Sequence, residues 1–315
     1  MDQIKEVRDT NKRNDLDSVL LERIKQTEPN RLWLTIPQLI DWSAVSGFKY
    51  GTARSAEVDS DVHLNRFKEK FGDIRALTIE DLKTRRVVAV SHEGEHVVDS
   101  WPVYRCLYCE VDQGTDTYLL TNGNWYKVGH QFLTHVNDAV ASIPRSSLHL
   151  PDYHDGSETE YNARVGRENP MVYAVMDEKF IYMGGRDKVE FCDLFTHEKK
   201  IIHVKRYTGS SAPLSHLFAQ AVVSSILFRR DAEFRSKVND ELPAAYRPVT
   251  ALPTSGEYEV ILGVVSQSLG DLVLPFFSRI NLKNAYERLQ ELGYNASVLK
   301  IRAIAAGAVS NSLPS

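Results

Sequence analysis

Residues that could carry out chemistry are concentrated in one predicted β-hairpin. The hairpin joins two short apolar strands, Val189–Phe195 and Ile201–Arg206, through a charged turn. Asp193 lies near the end of the first strand, and Lys205 ends the tripeptide H-V-K in the second. An acid in this position could bind a divalent cation, and the lysine could steady an attacking water or a phosphate group. The alternative is an ordinary hairpin with charged ends.

The bulk composition is that of a globular protein. The chain has 315 residues, of which 43% are hydrophobic and 25% are charged, and its length suggests two domains. No apolar run approaches the length of a membrane span, and the N-terminal residues are charged and lack the apolar segment of a signal peptide. We therefore expect a cytoplasmic protein without a membrane partner.

Positive charge is unevenly distributed along the chain. The net charge is −4, which does not by itself indicate nucleic-acid binding. Between Lys199 and Lys237, however, eight lysines and arginines accompany only two acids. Lys200, Arg206, Arg229 and Arg230 are therefore predicted to contact the phosphates of a nucleic acid. Alternatively, Arg229 and Arg230 lie at a solvated helix end, where the helix dipole favours positive charge.

The three cysteines do not indicate a disulfide framework or a structural zinc site. Cys106 and Cys109 form a single C-x-x-C, and the sequence contains no second pair that would complete four zinc ligands. The surrounding residues suggest a strand, whereas a redox C-x-x-C normally opens a helix. We expect buried or half-buried thiols.

A composition break divides the chain near residue 150. The segment Pro144–Ser157 contains two prolines and several serines, as is typical of a linker or surface loop. Residues 1–150 are predicted to form an α+β recognition or interaction domain, with a tight hairpin turn at Asn122-Gly123. In residues 151–315 the predicted order is a helix, strands, the hairpin, a helix, a strand, a helix and a strand. This order favours a mixed sheet flanked by helices.

That order, with an acid ahead of a hairpin lysine, resembles the PD-(D/E)XK nuclease superfamily, which has the restriction-endonuclease-like fold. In that fold a glutamate on the first helix, an aspartate on the second core strand and an acid-x-lysine on the third strand converge on Mg²⁺. The metal lowers the pKa of a bound water and offsets charge that develops on the phosphate. The resemblance implies a nuclease with Mg²⁺ or Mn²⁺ as its cofactor.

The resemblance also implies particular site residues. Asp193 matches the strand aspartate and Lys205 matches the lysine. Glu160 fits the helix glutamate, with Glu158 as the alternative, and Gln220 fits a glutamine that often supports the site on the following helix.

His203 departs from the superfamily pattern, because an acid or a glutamine usually occupies that position. As a third metal ligand, with Glu160 and Asp193, it would suit Mn²⁺ better than Mg²⁺. His216 and Gln220 are four residues apart, so they are predicted to share a helix face. A catalytic set of Glu160, Asp193, His203, Lys205 and Gln220 follows from the resemblance.

A second resemblance is based on longer strings of sequence. The run from E-Y-N through I-H-V-K-R and S-S-x-P-L-S-H-L-F-A-Q follows L-L-T-N-G-N-W-Y-K-V. Over about residues 115–240 it is similar to a sporadically distributed bacterial family without an assigned function, whose members often lie near phage-defence genes. This similarity implies a defence role, with a homodimer or a defence-system protein as a partner.

Two hypotheses of different classes follow from these patterns. The first is a metal-dependent nuclease that acts on DNA in preference to RNA. The second is a nuclease-like module that has lost its chemistry and binds nucleic acid or a protein. Convergence of Glu160, Asp193 and Lys205 on one point would favour the first hypothesis, and Glu160 pointing away would favour the second.

Overall fold

The protein has a mixed α+β structure, which confirms the predicted fold class. The chain divides into two compact units, and the main division falls between Asn137 and Asp138, compared with the boundary near residue 150 predicted from sequence. The computed structural model describes residues 3–37, 45–51, 57–59, 62–91, 96–184, 187–207, 211–247, 249–268 and 270–304.

The first unit consists of short helices and antiparallel strands. Its sheets have the orders β1-β8-β7-β6-β2 and β3-β4-β5. The elements are β1 (Ile4–Glu6), α1 (Thr10–Lys25), β2 (Leu32–Leu34), β3 (Gly47–Tyr50), α2 (Leu64–Phe71), α3 (Ile79–Thr84), β4 (Arg86–Val90), β5 (Val97–Pro102), α4 (Val103–Cys106), β6 (Leu107–Gln113), β7 (Asp116–Thr121), β8 (Asn124–Val128) and α5 (His130–Ala141), which extends past the division.

The tight turn between β7 and β8 confirms the hairpin predicted at Asn122-Gly123. Thr121 pairs with Asn124 across the turn. Asn122 and Gly123 have φ values of 48° and 77°, which place both in the left-handed region that a two-residue hairpin turn requires. Asparagine and glycine enter this region at the lowest steric cost, which explains their use here.

The residues around Cys106 and Cys109, which suggest a strand in the sequence, begin as the helical turn α4 before they enter β6. Aromatic and β-branched residues favour strands, but this preference depends strongly on context, so tertiary contacts can override it. Here the hydroxyl of Tyr104 donates to the buried carboxylate of Asp17 on α1. Cys106 and Cys109 are free and buried as expected, and burial raises the pKa of each thiol to about 12.

The second unit is built around one mixed sheet. Its five strands have the order β15-β14-β13-β12-β9, and a separate antiparallel pair is formed by β10 and β11. The elements are α6 (Glu158–Glu168), β9 (Tyr173–Val175), β10 (Phe180–Gly184), β11 (Asp187–Glu190), β12 (Leu194–Thr196), β13 (Lys200–Arg206), α7 (Ser211–Arg230), α8 (Ala232–Glu241), β14 (Glu259–Ser266), α9 (Phe276–Glu291) and β15 (Asn295–Arg302).

Helices cover both faces of this sheet, as predicted. Strands β9, β12 and β13 are antiparallel neighbours, whereas β13, β14 and β15 run parallel. Along β14, Val260 and Leu262 pack with α7, α8 and α9, and Ile261 and Val265 pack with α6 on the other side. Side chains of successive strand residues point to opposite faces, so a strand buried on both sides is continuously apolar.

The predicted strand Val189–Phe195 is interrupted in the structure. Its first part belongs to β11, which pairs with β10, and its last part forms β12, which pairs with β13. The intervening Phe191 packs against Phe228 and Phe234, with ring centroids 4.7 and 6.4 Å away. The chain therefore leaves one sheet and enters another within three residues, which brings the ends of both strands together.

Among the residues that the structure describes, no helix combines the length and the hydropathy that a membrane span requires.

Candidate metal centre

Asp193 is held by the backbone at the start of β12. The residue is 7% exposed, and its Oδ2 accepts a hydrogen bond of 2.5 Å from the backbone N–H of Val204 on β13. Its own carbonyl oxygen accepts from the N–H groups of Met176 and Asp177, at 2.8 and 3.1 Å. These bonds tie the turn after β9 to the start of β12.

Three carboxylates from different elements converge at this point. Asp177 lies in the turn after β9, Glu190 is the last residue of β11, and Asp193 precedes β12. One carboxylate oxygen from each lies within 4.8 Å of the other two. We call Asp177, Glu190 and Asp193 the acid cluster.

Two amide side chains orient the acid cluster. The Nδ2 of Asn162 on α6 donates to Asp177 at 3.1 Å, and the Nε2 of Gln220 on α7 donates to Glu190 at 2.7 Å. The residue Asn162 is 1% exposed, and its Oδ1 has no hydrogen-bond partner among the described residues. A buried acceptor without a partner is costly, and a cation beside Asp177 would remove that cost.

The electrostatics of the acid cluster favour a bound proton or a cation. Burial raises the pKa of Asp193 well above its usual value, and the charges of Glu190 and Asp177 raise it further. Burial also raises the pKa of Glu190, although hydrogen bonds from the Glu178 N–H and from Gln220 oppose this. Neighbouring carboxylates are difficult to ionise together unless positive charge compensates. The donor set of carboxylate and amide oxygens suits hard cations such as Mg²⁺, Ca²⁺ and Mn²⁺.

Lys205 follows Val204, whose N–H donates to Asp193, and its side chain forms an ion pair with Glu158. Its ammonium group donates to Glu158, whose other carboxylate oxygen accepts the Arg206 N–H at 2.8 Å. The positive charge of Lys205 partly offsets the raised pKa of Asp193. Burial lowers the pKa of His216, and the charge of Lys205 contributes to this shift. His216 and Gln220 on α7 thus both face the site, at Lys205 and at Glu190.

Glu160 does not join the acid cluster, although the superfamily resemblance implies a ligand at this position. Its exposed carboxylate accepts the Gly156 N–H at 2.9 Å, and its own N–H donates to Ser157 at 3.1 Å. Ser157 is the N-cap of α6. Residues two apart on a helix point in different directions, so Glu158 reaches Lys205 while Glu160 stays at the helix end.

His203 also lies outside the acid cluster. Side chains alternate along β13, so His203 points to the same face as Ile201, into the core beneath α7. Its ring is 0% exposed, and Nε2 lies 3.5 Å from the hydroxyl of Ser224. Burial lowers the pKa of His203 to about 3. The structure places His203 as a neutral core histidine, away from the carboxylates that sequence reasoning grouped with it.

This placement predicts a contribution of His203 to stability that depends on pH. The folded-state pKa of about 3 lies below the unfolded value near 6.5, so protonation favours unfolding as pH falls below about 6.5. The loss is up to ~1.4 kcal/mol for each pH unit. Urea unfolding of the wild type and of His203→Gln should show a smaller loss of stability for the variant between pH 7 and pH 5. Parallel pH dependences would contradict the buried neutral state.

The predicted phosphate-binding residues are distributed rather than gathered at the site. Lys200 pairs with Glu198 at 2.6 Å and lies at the other end of β13 from Lys205, about 17 Å away along the strand. Arg229 and Arg230 lie about 14 Å beyond Gln220 along α7, at a separate pocket of about 460 Å³. Arg206, next to Lys205, is the member of this set that borders the site.

Sequence reasoning missed Asp177, Glu190 and Asn162 as members of the site. One signal for the first was present, because Asp177 directly follows the apolar run V-Y-A-V-M as Asp193 follows V-E-F-C. The two acids meet because β9 and β12 are antiparallel, so that the end of β9 lies beside the start of β12. No pattern marked Glu190, because its position depends on the change of sheet at Phe191.

Comparison with known proteins identifies a family whose function is unknown. The family model described as "Family of unknown function (DUF6119)" matches residues 1–302. No curated protein and no solved structure matches the chain. The expectation of a family without an assigned function is therefore confirmed. Because the match spans nearly the whole sequence, this protein belongs to the DUF6119 family of unknown function.

Proposed function

We propose that the protein is a divalent-metal-dependent nuclease and that its cation binds at the acid cluster. The observation that carries the proposal is the convergence of Asp177, Glu190 and Asp193 within 4.8 Å, beside Lys205 on the next strand. Carboxylates that hold a divalent cation, with a lysine nearby, could support hydrolysis of a phosphodiester. We further propose that this activity belongs to phage defence in the cytoplasm, with DNA preferred over RNA.

The topology of the second unit supports this proposal. In chain order, α6, β9, β12, β13, α7 and β14 form a helix, three antiparallel strands, a helix and a parallel strand. This is the order expected for a restriction-endonuclease-like core. Asp193 directly precedes the second of these strands, and Lys205 lies near the end of the third.

The side chains have separable roles in the proposed reaction. The acid cluster holds the cation, and the buried Oδ1 of Asn162 is available as a further oxygen ligand. A bound Mg²⁺ or Mn²⁺ would acidify a water and neutralise phosphate charge. Gln220 fixes the orientation of Glu190 through its hydrogen bond. Lys205 would stabilise the negative charge that develops on the phosphate. For this, Glu158 must share or release the Lys205 ammonium group.

Two observations favour a binding module as the second candidate. Glu160 faces away from the acid cluster, and His203 occupies the position at which an acid is usual and lies in the core. A site without these two ligands could hold a cation and a phosphate backbone without cutting it. Such a module would bind nucleic acid with a strong dependence on salt.

A cleavage assay separates the two candidates. Single-stranded and double-stranded DNA and RNA would each be incubated with the full chain in Mg²⁺, in Mn²⁺ and in EDTA. We expect cleavage with either metal and none in EDTA, and the same preparation of Asp193→Asn should be inactive. Salt-dependent binding without cleavage under every condition would replace the nuclease with the binding module.

A further inference from the structure

The first unit contains a polar pocket that the proposed nuclease chemistry does not use. The pocket encloses about 340 Å³, at the lower end of the range for small-molecule sites. One face of α1 forms a wall, since Arg13, Asn14 and Asp17 are spaced at helical intervals. We call it the α1 pocket, lined among others by Arg13, Asp17, Lys83, Tyr104, Asn124 and Trp125.

Asp17 at the base of the α1 pocket is held in a fixed orientation. It is 9% exposed, and its Oδ1 accepts both the Tyr104 hydroxyl at 2.6 Å and the Trp125 Nε1–H at 2.8 Å. Burial and the charge of Asp17 raise the pKa of Tyr104, so the phenol remains a donor. Among the described residues, no group donates to Oδ2. This oxygen is therefore the acceptor that the pocket offers to a ligand.

The rim of the α1 pocket carries two cations. Arg13 and Lys83 are both exposed, and neither side chain forms an ion pair with a described residue. The Lys83 ammonium lies 5.5 Å from the centre of the Tyr104 ring, which places it above the buried end of the pocket. Other basic side chains of this unit, such as Arg66 and Lys127, do form ion pairs. The two rim cations are thus available to an anion.

We propose that the α1 pocket binds a small phosphorylated molecule that also carries a hydrogen-bond donor, the chemical class to which nucleotides belong. The phosphate lies between Arg13 and Lys83, and the donor meets Oδ2 of Asp17. This assignment follows from the order of charges, positive at the rim and negative at the base. A simple anion would be repelled by Asp17, and a simple cation by the rim.

A purely structural role for Asp17 would explain its bonds to Tyr104 and Trp125 but not the unpaired cations above it. A nucleic-acid polymer is disfavoured, because its phosphates require an extended basic groove rather than a pocket of about 340 Å³.

The string L-L-T-N-G-N-W-Y-K-V, singled out in the sequence, supplies Asn124 and Trp125 to this pocket. No residue of that string belongs to the proposed nuclease site.

Calorimetry on the full chain tests the proposal, with AMP, GMP, ribose 5-phosphate and inorganic phosphate as probes. We expect at least one of the three esters to bind ~10-fold more tightly than inorganic phosphate. Arg13→Gln and Lys83→Gln should each weaken that ester ~10-fold, since each removes a charge-assisted contact. Both residues are exposed, so both variants should fold. Arg75→Gln, an exposed arginine on a short 3₁₀ turn outside this pocket, should bind as the wild type does.

Asp17→Asn gives a readout that a structural role would not produce. The asparagine keeps an acceptor for Tyr104 and Trp125 but removes the negative charge at the base. Binding of the ester should weaken, while binding of inorganic phosphate should stay equal or improve. The proposal is overturned if none of the three esters binds with a Kd below about 1 mM, or if Arg13→Gln and Lys83→Gln bind like the wild type.

Discussion

Glutamine in place of Glu190 is expected to weaken the binding of Mn²⁺ by about 100-fold or more. A carboxylate within about 4 Å of a partly buried cation contributes on the order of 4 kcal/mol, and glutamine removes that charge while keeping the side-chain shape. Asp193→Asn should have an effect of the same size, because its carboxylate lies in the same acid cluster. Titration calorimetry of the full chain with Mn²⁺ and with Mg²⁺ measures both losses.

The matched control is Glu160→Gln. Glu160 is implied as a ligand by the superfamily pattern, yet its carboxylate accepts the Gly156 N–H at the exposed end of α6. This variant should bind Mn²⁺ as the wild type does, apart from a small loss of stability at the helix end. Unchanged Mn²⁺ affinity in Glu190→Gln together with a lost affinity in Glu160→Gln would contradict the site described here and restore the ligand set implied by the superfamily.

Proton release gives an independent check of the same site. The raised pKa values of Asp193 and Glu190 mean that the cation displaces protons, so Mn²⁺ should bind more tightly at pH 8 than at pH 5.5. Carboxyl groups with a raised folded-state pKa stabilise the metal-free protein below their unfolded pKa values. That stabilisation is lost as pH rises through the folded values. Added Mn²⁺ should therefore raise the melting temperature more at pH 8 than at pH 5.5.

Half of this site could be predicted from sequence because its residues lie at the ends of recognisable elements. Asp193, Lys205 and Gln220 follow from the strand and helix that carry them, and the backbone pairing of β12 with β13 brings the first two together. Glu190 could not be placed, because the apolar run through Phe191 looks like one strand in the sequence. Packing of Phe191 against Phe228 decides otherwise, and that contact spans 37 positions of the chain.

The choice between Glu158 and Glu160 shows the same limit on a smaller scale. Both acids lie in the first turn of α6, where the helix dipole favours negative charge. The sequence predicts a helix here, but it does not predict the rotation of that helix about its own axis. That rotation is set by the burial of Tyr161 and Val165 against the sheet, which turns Glu158 toward Lys205. The spacing of apolar residues alone cannot determine the rotation of this helix, because polar residues cover most of its surface.

Alanine in place of Lys205 is expected to lower the rate of cleavage by about 100- to 1,000-fold while leaving nucleic-acid binding within about threefold. The ammonium group lies beside the acid cluster, where it can meet charge that develops on the phosphate only as the bond breaks. Its effect should therefore fall on kcat. Single-turnover cleavage with Mg²⁺, together with fluorescence anisotropy of the same substrate in Ca²⁺, separates turnover from binding.

Glu158→Gln distinguishes this catalytic role from a structural one. Lys205 and Glu158 form an ion pair that also ties α6 to β13 through the Arg206 N–H. If the only role of Lys205 were to join α6 to β13, Lys205→Ala and Glu158→Gln would lower the melting temperature and the activity to the same extent. We expect instead that Glu158→Gln, which keeps an acceptor for the Arg206 N–H and frees the lysine, retains most of its turnover. Equal losses in both variants would make Lys205 a structural residue, and a Lys205→Ala enzyme with normal kcat would exclude it from the chemistry.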